Sequence, residues 1–177
     1  LPNYGVFDEE RYFAPGPRPT VLHLGALPVS VTVCEDIWVP DGPLPTHVRE
    51  TGAIVAINLS ASPYHRGKGA VRRDMLRTRA ADHQVPLVFV NLVGGQDELV
   101  FDGGSVVLDE TGRVVAEAPL FEEALLVAEL DVGPARRSRL AEPRGRRAWD
   151  RATEGGGNRV AVAALEVATG AADRGVV

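Results

Sequence analysis

"AIVAINLS", residues 53–60, runs eight positions without a charge, and only Asn58 and Ser60 in it are polar. A strand with one wet face alternates apolar and polar residues. A run without alternation suits a strand covered on both faces, as in parallel sheets flanked by helices. "VPLVFVNLV", residues 85–93, has the same character. Between the two, "GAVRRDMLRTRAADHQ" (69–84) has helical periodicity, which puts Val71, Met75, Leu76 and Ala80 on one face and arginines on the other. Upstream, "TVLHLGALPVSVTVC" (20–34) reads as two strands around a turn near Gly25–Pro28, and "DGPLPTHVRETG" (41–52) as a short helix closed by Gly52. Downstream, "GSVVLDETGRVVAEA" (104–118) reads as a hairpin turning at Glu110-Thr111-Gly112, and "EEALLVAELDV" (122–132) as a last strand. Strands alternating with helices, then a hairpin, define an α/β layer protein.

Composition fits one folded unit. The 177 residues are 45% hydrophobic and 24% charged, ordinary values for a soluble domain. No apolar run approaches the ~18 residues of a membrane span, so neither a membrane location nor a secretory leader is expected. A single cysteine cannot form an internal disulfide, and a reducing, cytoplasmic setting is expected. The sequence begins at Leu1 and holds one methionine, Met75, which suggests a piece of a longer protein. Charge divides the chain. Residues 134–177 hold nine arginines and five acids, net +4, leaving ten basic and nineteen acidic residues, net −9, in 1–133. Residues 1–133 and 134–177 therefore read as two unlike parts, the second a basic, linker-like or divergent tail, poorly ordered or partly helical, with a flexible joint at "EGGGN" (154–158). Arginine clusters that bind nucleic acid usually interleave aromatics. Only Trp149 does so here, and no nucleic-acid partner is expected.

The chemistry concentrates at "TVCEDIW", residues 32–38. A lone cysteine is most often a small core hydrophobe. At the end of a strand it can instead be a nucleophile on an elbow whose backbone N–H groups hold an oxyanion. Such a thiol needs a base and a nearby cation. His23, His47, His65 and His83 are scattered and form no Cys–His signature, which leaves a carboxylate as the base and excludes a zinc cluster. They read as surface or supporting residues.

Four strings in order, "LPNYGVFDEERYFAPG" (1–16), "VTVCEDIW" (31–38), "NLSASPYHRGKG" (58–69) and "NLVGGQDELVFDGGS" (91–105), resemble the glutamine amidotransferase domain found in glutamine-dependent NAD synthetases, within the nitrilase or carbon–nitrogen hydrolase superfamily. The resemblance spans about residues 1–133 and implies a four-layer αββα sandwich, incomplete at its N-terminal side, with a Glu–Lys–Cys triad. It makes Cys34 the nucleophile. It implies that the base glutamate and the catalytic lysine precede residue 1, so that Lys68, the one lysine here, is a surface or loop cation. Glu9, six residues before Pro15-Gly16, matches a second active-site glutamate, or is an exposed loop acid. Tyr4 and Glu35 match pocket-lining positions. Ser60, Ser62 and Arg66 match contacts to the glutamine amino and carboxylate groups, or are loop caps and a solvated arginine. Phe101 and Asp102 are placed near the site mouth, and Gly94, Gly95, Gly103 and Gly104 are read as turn formers.

The resemblance further implies glutamine as substrate and a synthetase domain as partner. That domain would use ATP and Mg²⁺ to amidate nicotinic acid adenine dinucleotide, in an assembly of several identical subunits. No metal or cofactor is expected in residues 1–133. The pyrophosphatase-type loop of such a domain does not occur in this chain, and residues 1–177 alone are expected to be inactive and to expose core faces that a partner would cover. Two rivals stand beside this reading: a free-standing hydrolase of another small amide, and a non-catalytic remnant.

Overall fold

The computed structural model describes residues 5, 7–16 and 21–141. Its elements in chain order are β1 (Val21–Leu24), β2 (Leu27–Val33), α1 (Pro43–Glu50), β3 (Val55–Ser60), α2 (Lys68–His83), β4 (Leu87–Asn91), β5 (Val93–Gln96), β6 (Leu99–Asp102), β7 (Val106–Leu108), β8 (Val114–Glu117) and α3 (Gly133–Ala141). Short 3₁₀ turns occupy Glu9–Arg11 and Cys34–Ile37. The two apolar runs become β3 and β4, as their lack of alternation requires.

Strands β1-β2-β3-β4-β7-β8 form one mixed sheet, and β5-β6 a separate hairpin. The pairs β2/β3 and β3/β4 are parallel, with Val33 opposite Leu59 and Leu59 opposite Val90. The other pairs in the sheet are antiparallel. The parallel order runs one way across the sheet, so α1 and α2 cover the same face. Ile37, Leu44, Val48, Leu76 and Ala80 pack there against Ala56, Leu87, Phe89, Val106 and Leu108.

That covered face is also where the polar strand residues point. Ser30, Thr32, Asn58 and Asn91 are buried. The opposite face of β2, β3 and β4 carries only aliphatic residues. At its C-terminal end Val33, Leu59 and Val90 are 61%, 48% and 43% exposed, whereas Val29 and Val55 nearer its N-terminal end are buried. The exposed end is an apolar surface of the kind expected from the sequence.

Five readings of the sequence change. Val71 is exposed and Arg72 is buried, the reverse of the expected helix faces. The cause is Asp102, buried on β6, whose carboxylate accepts two hydrogen bonds from the Arg72 guanidinium at 2.9 and 2.8 Å. Arg72 also lies over the Phe89 ring, and Asn91 Nδ2 donates to Asp102. Phe101 and Asp102 thus belong to the interior rather than to a site mouth. Gly94 and Gly95 lie within β5, while Gly103 and Gly104 do turn the chain with φ of 64° and 66°. Residues 122–132 form no strand, since nothing among the described residues pairs with them. Leu125 there is 92% exposed. Finally, His47 is buried on α1 with its Nδ1 2.8 Å from Ser30 Oγ, and burial keeps its ring below the ordinary histidine range. Most of the basic tail lies outside the described residues.

Removing one partner of a buried, bidentate pair leaves an uncompensated charge. Arg72→Met or Asp102→Asn should therefore lower the unfolding free energy by about 3–5 kcal/mol, read from urea titrations. The double replacement Arg72→Met with Asp102→Leu should recover most of that loss.

Candidate active site

Strand β2 ends at Val33, and the chain turns at once. Cys34 has φ of 44°, the left-handed region that a non-glycine residue rarely enters. A conformation of this kind is worth roughly 1–3 kcal/mol of strain and persists only where its surroundings hold it. Several groups hold this one. Asp36 Oδ2 accepts from the Val33 N–H at 2.9 Å, capping the 3₁₀ turn that begins at Cys34. Arg79, on α2, donates to the carbonyls of Ile37 at 3.0 Å and Trp38 at 2.8 Å. Gly42 brings the returning loop against this turn. A Cβ at that position would lie 2.2 Å from the Asp36 carbonyl oxygen, so no larger residue fits without movement. Asn58 Nδ2 lies 3.4 Å from the Cys34 carbonyl oxygen and 2.9 Å from Thr32 Oγ1.

The elbow sits at the C-terminal ends of the parallel strands β2 and β3, where open α/β sheets place their ligands. The half-buried sulfur faces the end of β3, where the Ala61 backbone and the Ser60 hydroxyl favour its ionised form, and the charges of Glu35 and Lys68 act on it. Burial pushes the thiol above its ordinary pKa, and Glu35 adds to that. Ala61, Ser60 and Lys68 oppose it. Lys68 is no plain surface cation. It is half-buried, its ammonium stands 5.5 Å from the centroid of the Trp38 ring, and burial, then the charge of Arg72, lower its pKa against the pull of Cys34, Glu35 and Asp102. The resting site is thus a protonated thiol with a cation close by, an arrangement that needs an external base before the sulfur can attack.

The other residues singled out from sequence are spread more widely. Glu35 follows the sulfur in the turn. Ser60 Oγ donates to Asn58 Oδ1 at 2.6 Å as well as meeting the sulfur. Ser62 is buried, and its N–H donates to Asn91 Oδ1 at 2.9 Å. Arg66 is exposed in the loop before α2. Glu9 lies in the 3₁₀ turn Glu9–Arg11 and is not among the charges that act on Cys34. Tyr4 falls outside the described residues. Asn58, Ala61, Asp36 and Arg79 were not foreseen. The one hint was Asn58, a polar break in an otherwise apolar strand. A cleft of about 420 Å³ reaches Ser60 from the side, between Leu59, Val90, Asn91, Glu122 and Glu123. Among the described residues no group of three His, Cys, Asp or Glu could hold a metal ion, and no helix is long and apolar enough to cross a membrane.

A cysteine on a strained strand-end turn is an arrangement that a thiol nucleophile can use. The chain belongs to the carbon-nitrogen hydrolase family, whose profile matches residues 1–140, and it has the α/β architecture of the nitrilase superfamily. It is 49% identical over 146 residues to the glutamine-dependent NAD(+) synthetase of Thermotoga maritima, an alignment covering 82% of this chain and 25% of that enzyme. The structure of the Acinetobacter baumannii glutamine-dependent NAD+ synthetase, in complex with ADP, superposes with a TM-score of 0.65 at 39% identity, over 70% of this chain and 23% of that one. An amidase from Nesterenkonia sp. AN1, whose active-site cysteine carries the acetamide moiety of fluoroacetamide, superposes with a TM-score of 0.63 at 30% identity, over 82% of this chain and 53% of that one. The chain thus spans about a quarter of the length of the curated relatives it matches.

The electrostatics give a signed prediction. Only the thiolate alkylates, so the rate of iodoacetamide addition at pH 8 reports the thiolate fraction of Cys34. Glu35→Gln removes an adjacent negative charge and should speed the reaction. Lys68→Ala removes the opposing cation and should slow it. Wild type should reach half its limiting rate at a pH above that of a free cysteine peptide.

Proposed function

We propose that this chain carries the nucleophile part of a glutaminase that supplies ammonia for NAD synthesis. The observation that carries the reading is the placement of Cys34: a left-handed elbow at the end of a parallel strand, its sulfur beside the Ala61 N–H, the Ser60 hydroxyl and Lys68. In this reading a base carboxylate takes the thiol proton, and the Cys34 thiolate attacks the side-chain amide carbon of glutamine. The oxyanion lies between the family lysine and the Glu35 N–H. The carbon–nitrogen bond breaks, and nitrogen takes up the proton and leaves as ammonia. Water then cleaves the γ-glutamyl thioester, releasing glutamate and restoring the thiol.

Arg66 suits the substrate carboxylate, because its planar fork can give two parallel hydrogen bonds. Ser62 takes the amino end, Tyr4 lines the pocket, and Glu9 orients the family lysine. Ser60 acts on the sulfur rather than on glutamine. The triad's base glutamate and lysine match no residue of this chain. The ammonia would pass to a synthetase domain, which would use ATP and Mg²⁺ to amidate nicotinic acid adenine dinucleotide. The setting would be cytoplasmic and the complete enzyme an oligomer of identical subunits. Residues 134–177 would act as a linker. The greater identity to glutamine-dependent synthetases than to the amidase favours glutamine over other small amides.

The glutamine-mimicking electrophile diazo-oxo-norleucine tests the reading. In the full-length protein that contains this segment, it should modify Cys34, glutamine should protect, and Cys34→Ala should abolish labelling. Residues 1–177 alone should release no more ammonia from glutamine than the Cys34→Ala chain. An unlabelled Cys34 in the full-length protein would overturn the assignment.

A further inference from the structure

We infer that Asn58 is a positioning residue for Cys34, the side chain that keeps the nucleophile's elbow in its left-handed conformation; this rests on the reading of Cys34 given above. Asn58 is completely buried. A buried primary amide carries two N–H donors and an acceptor, each costly to leave unmet. In this strand every one of them faces the nucleophile's frame. Nδ2 donates to Thr32 Oγ1 at 2.9 Å and reaches the Cys34 carbonyl oxygen at 3.4 Å, while Oδ1 accepts from Ser60 Oγ at 2.6 Å.

The direction of these bonds is fixed by a neighbour. Thr32 has one hydroxyl hydrogen, and it goes to the Ile57 carbonyl at 3.3 Å. Thr32 therefore accepts from Asn58, the amide nitrogen faces β2 and Cys34, and the amide oxygen faces Ser60. One side chain on β3 thereby grips the residue two before the nucleophile, the nucleophile's own carbonyl, and a serine beside the sulfur. Asp36 and Arg79 hold the peptides on either side, at Val33 and at Ile37 and Trp38. Asn58 acts on the Cys34 peptide itself, where φ is 44°.

Ser60 gains a second meaning from this arrangement. Its single proton has two acceptors within reach, the Asn58 carbonyl oxygen and the sulfur. With the thiol protonated, the proton rests on Asn58. When the sulfur ionises, the hydroxyl can turn toward it. Asn58 therefore sets both the backbone geometry of the nucleophile and the resting orientation of its hydroxyl neighbour.

The test reads Cys34 rather than turnover. Asn58→Leu keeps the branching and heavy-atom count of the side chain, with added bulk, and removes every hydrogen bond. Asn58→Thr, smaller and favourable in a strand, keeps β3 but cannot span to the Cys34 carbonyl. In both, the elbow relaxes, the sulfur becomes less buried, and Ser60 no longer has Asn58 as an acceptor. The pH midpoint of iodoacetamide alkylation on the 177-residue chain should move down toward that of a free cysteine peptide, and the rate at pH 8 should rise several-fold, with cooperative urea unfolding retained. Leu108→Ala, a core truncation two strands away from β3, should lower the urea midpoint while leaving the alkylation profile as in wild type. An unchanged profile in both Asn58 variants overturns the proposal, as does an equal shift in Leu108→Ala. Failure of diazo-oxo-norleucine to label Cys34 in the full-length protein would instead sink the parent reading and leave this clamp standing.

Discussion

A buried charge has to be paired, and the pairing of Arg72 with Asp102 organises the molecule around it. Both side chains are almost wholly withdrawn from water. The pair joins α2 to the β5–β6 hairpin, which has no ladder bonds to the main sheet. Asn91, at the end of β4, adds its amide to Asp102 and to the Gly103 carbonyl, and turns its own oxygen to the Ser62 N–H. Ser62 closes the short run Ser60-Ala61-Ser62, whose first two residues touch the Cys34 sulfur. A chain of polar contacts thus leads from an ion pair under α2 to the Cys34 elbow, and the helix that carries Arg72 also carries Lys68 and Arg79. The position of one helix sets the cation near the sulfur, the carbonyl clamp on the elbow, and the loop that cups it.

Much of this architecture could be read from hydrophobic pattern. The uninterrupted runs at 53–60 and 85–93 announced the parallel strands β3 and β4, though Leu59 and Val90 leave one face partly exposed, and the Glu110-Thr111-Gly112 turn announced the β7–β8 hairpin. What the pattern misjudged were cases where a distant partner decides. Val71 and Arg72 exchanged faces because Asp102, thirty residues on, supplies a buried counter-charge that periodicity cannot foresee. His47 went inside because Ser30 offers it a hydrogen bond. The apolar stretch at 122–132 had the composition of a strand but found no neighbour to pair with.

The site divides in the same way. Cys34 was visible as the thiol at a strand end, and resemblance to amide-cleaving domains gave it a role. Glu35 followed from adjacency. The supporting residues were silent, because Asn58 and Arg79 reach backbone or hydroxyl atoms of other elements and Ala61 acts through its own backbone, and such contacts leave no motif. Lys68 was legible as the only lysine, yet its closeness to the sulfur depends on how α2 begins, a matter of tertiary placement rather than spacing.

Both faces of the central sheet are committed. Toward the helices Ser30, Thr32, Asn58 and Asn91 lie among Ala56, Leu87 and Phe89, and away from them lie valine, isoleucine and leucine. The consequence concerns mutational tolerance. An ordinary amphipathic strand has a permissive register in which every second position drifts freely. Strands β2, β3 and β4 have little of it, because one side is committed to packing under the helices and to directional bonds around Cys34, and the other is aliphatic and buried or half-buried except at its C-terminal end. Neutral variation in this chain must therefore gather on the outer surfaces of the helices and at the exposed positions of β8, and the central strands should be its slowest-changing part.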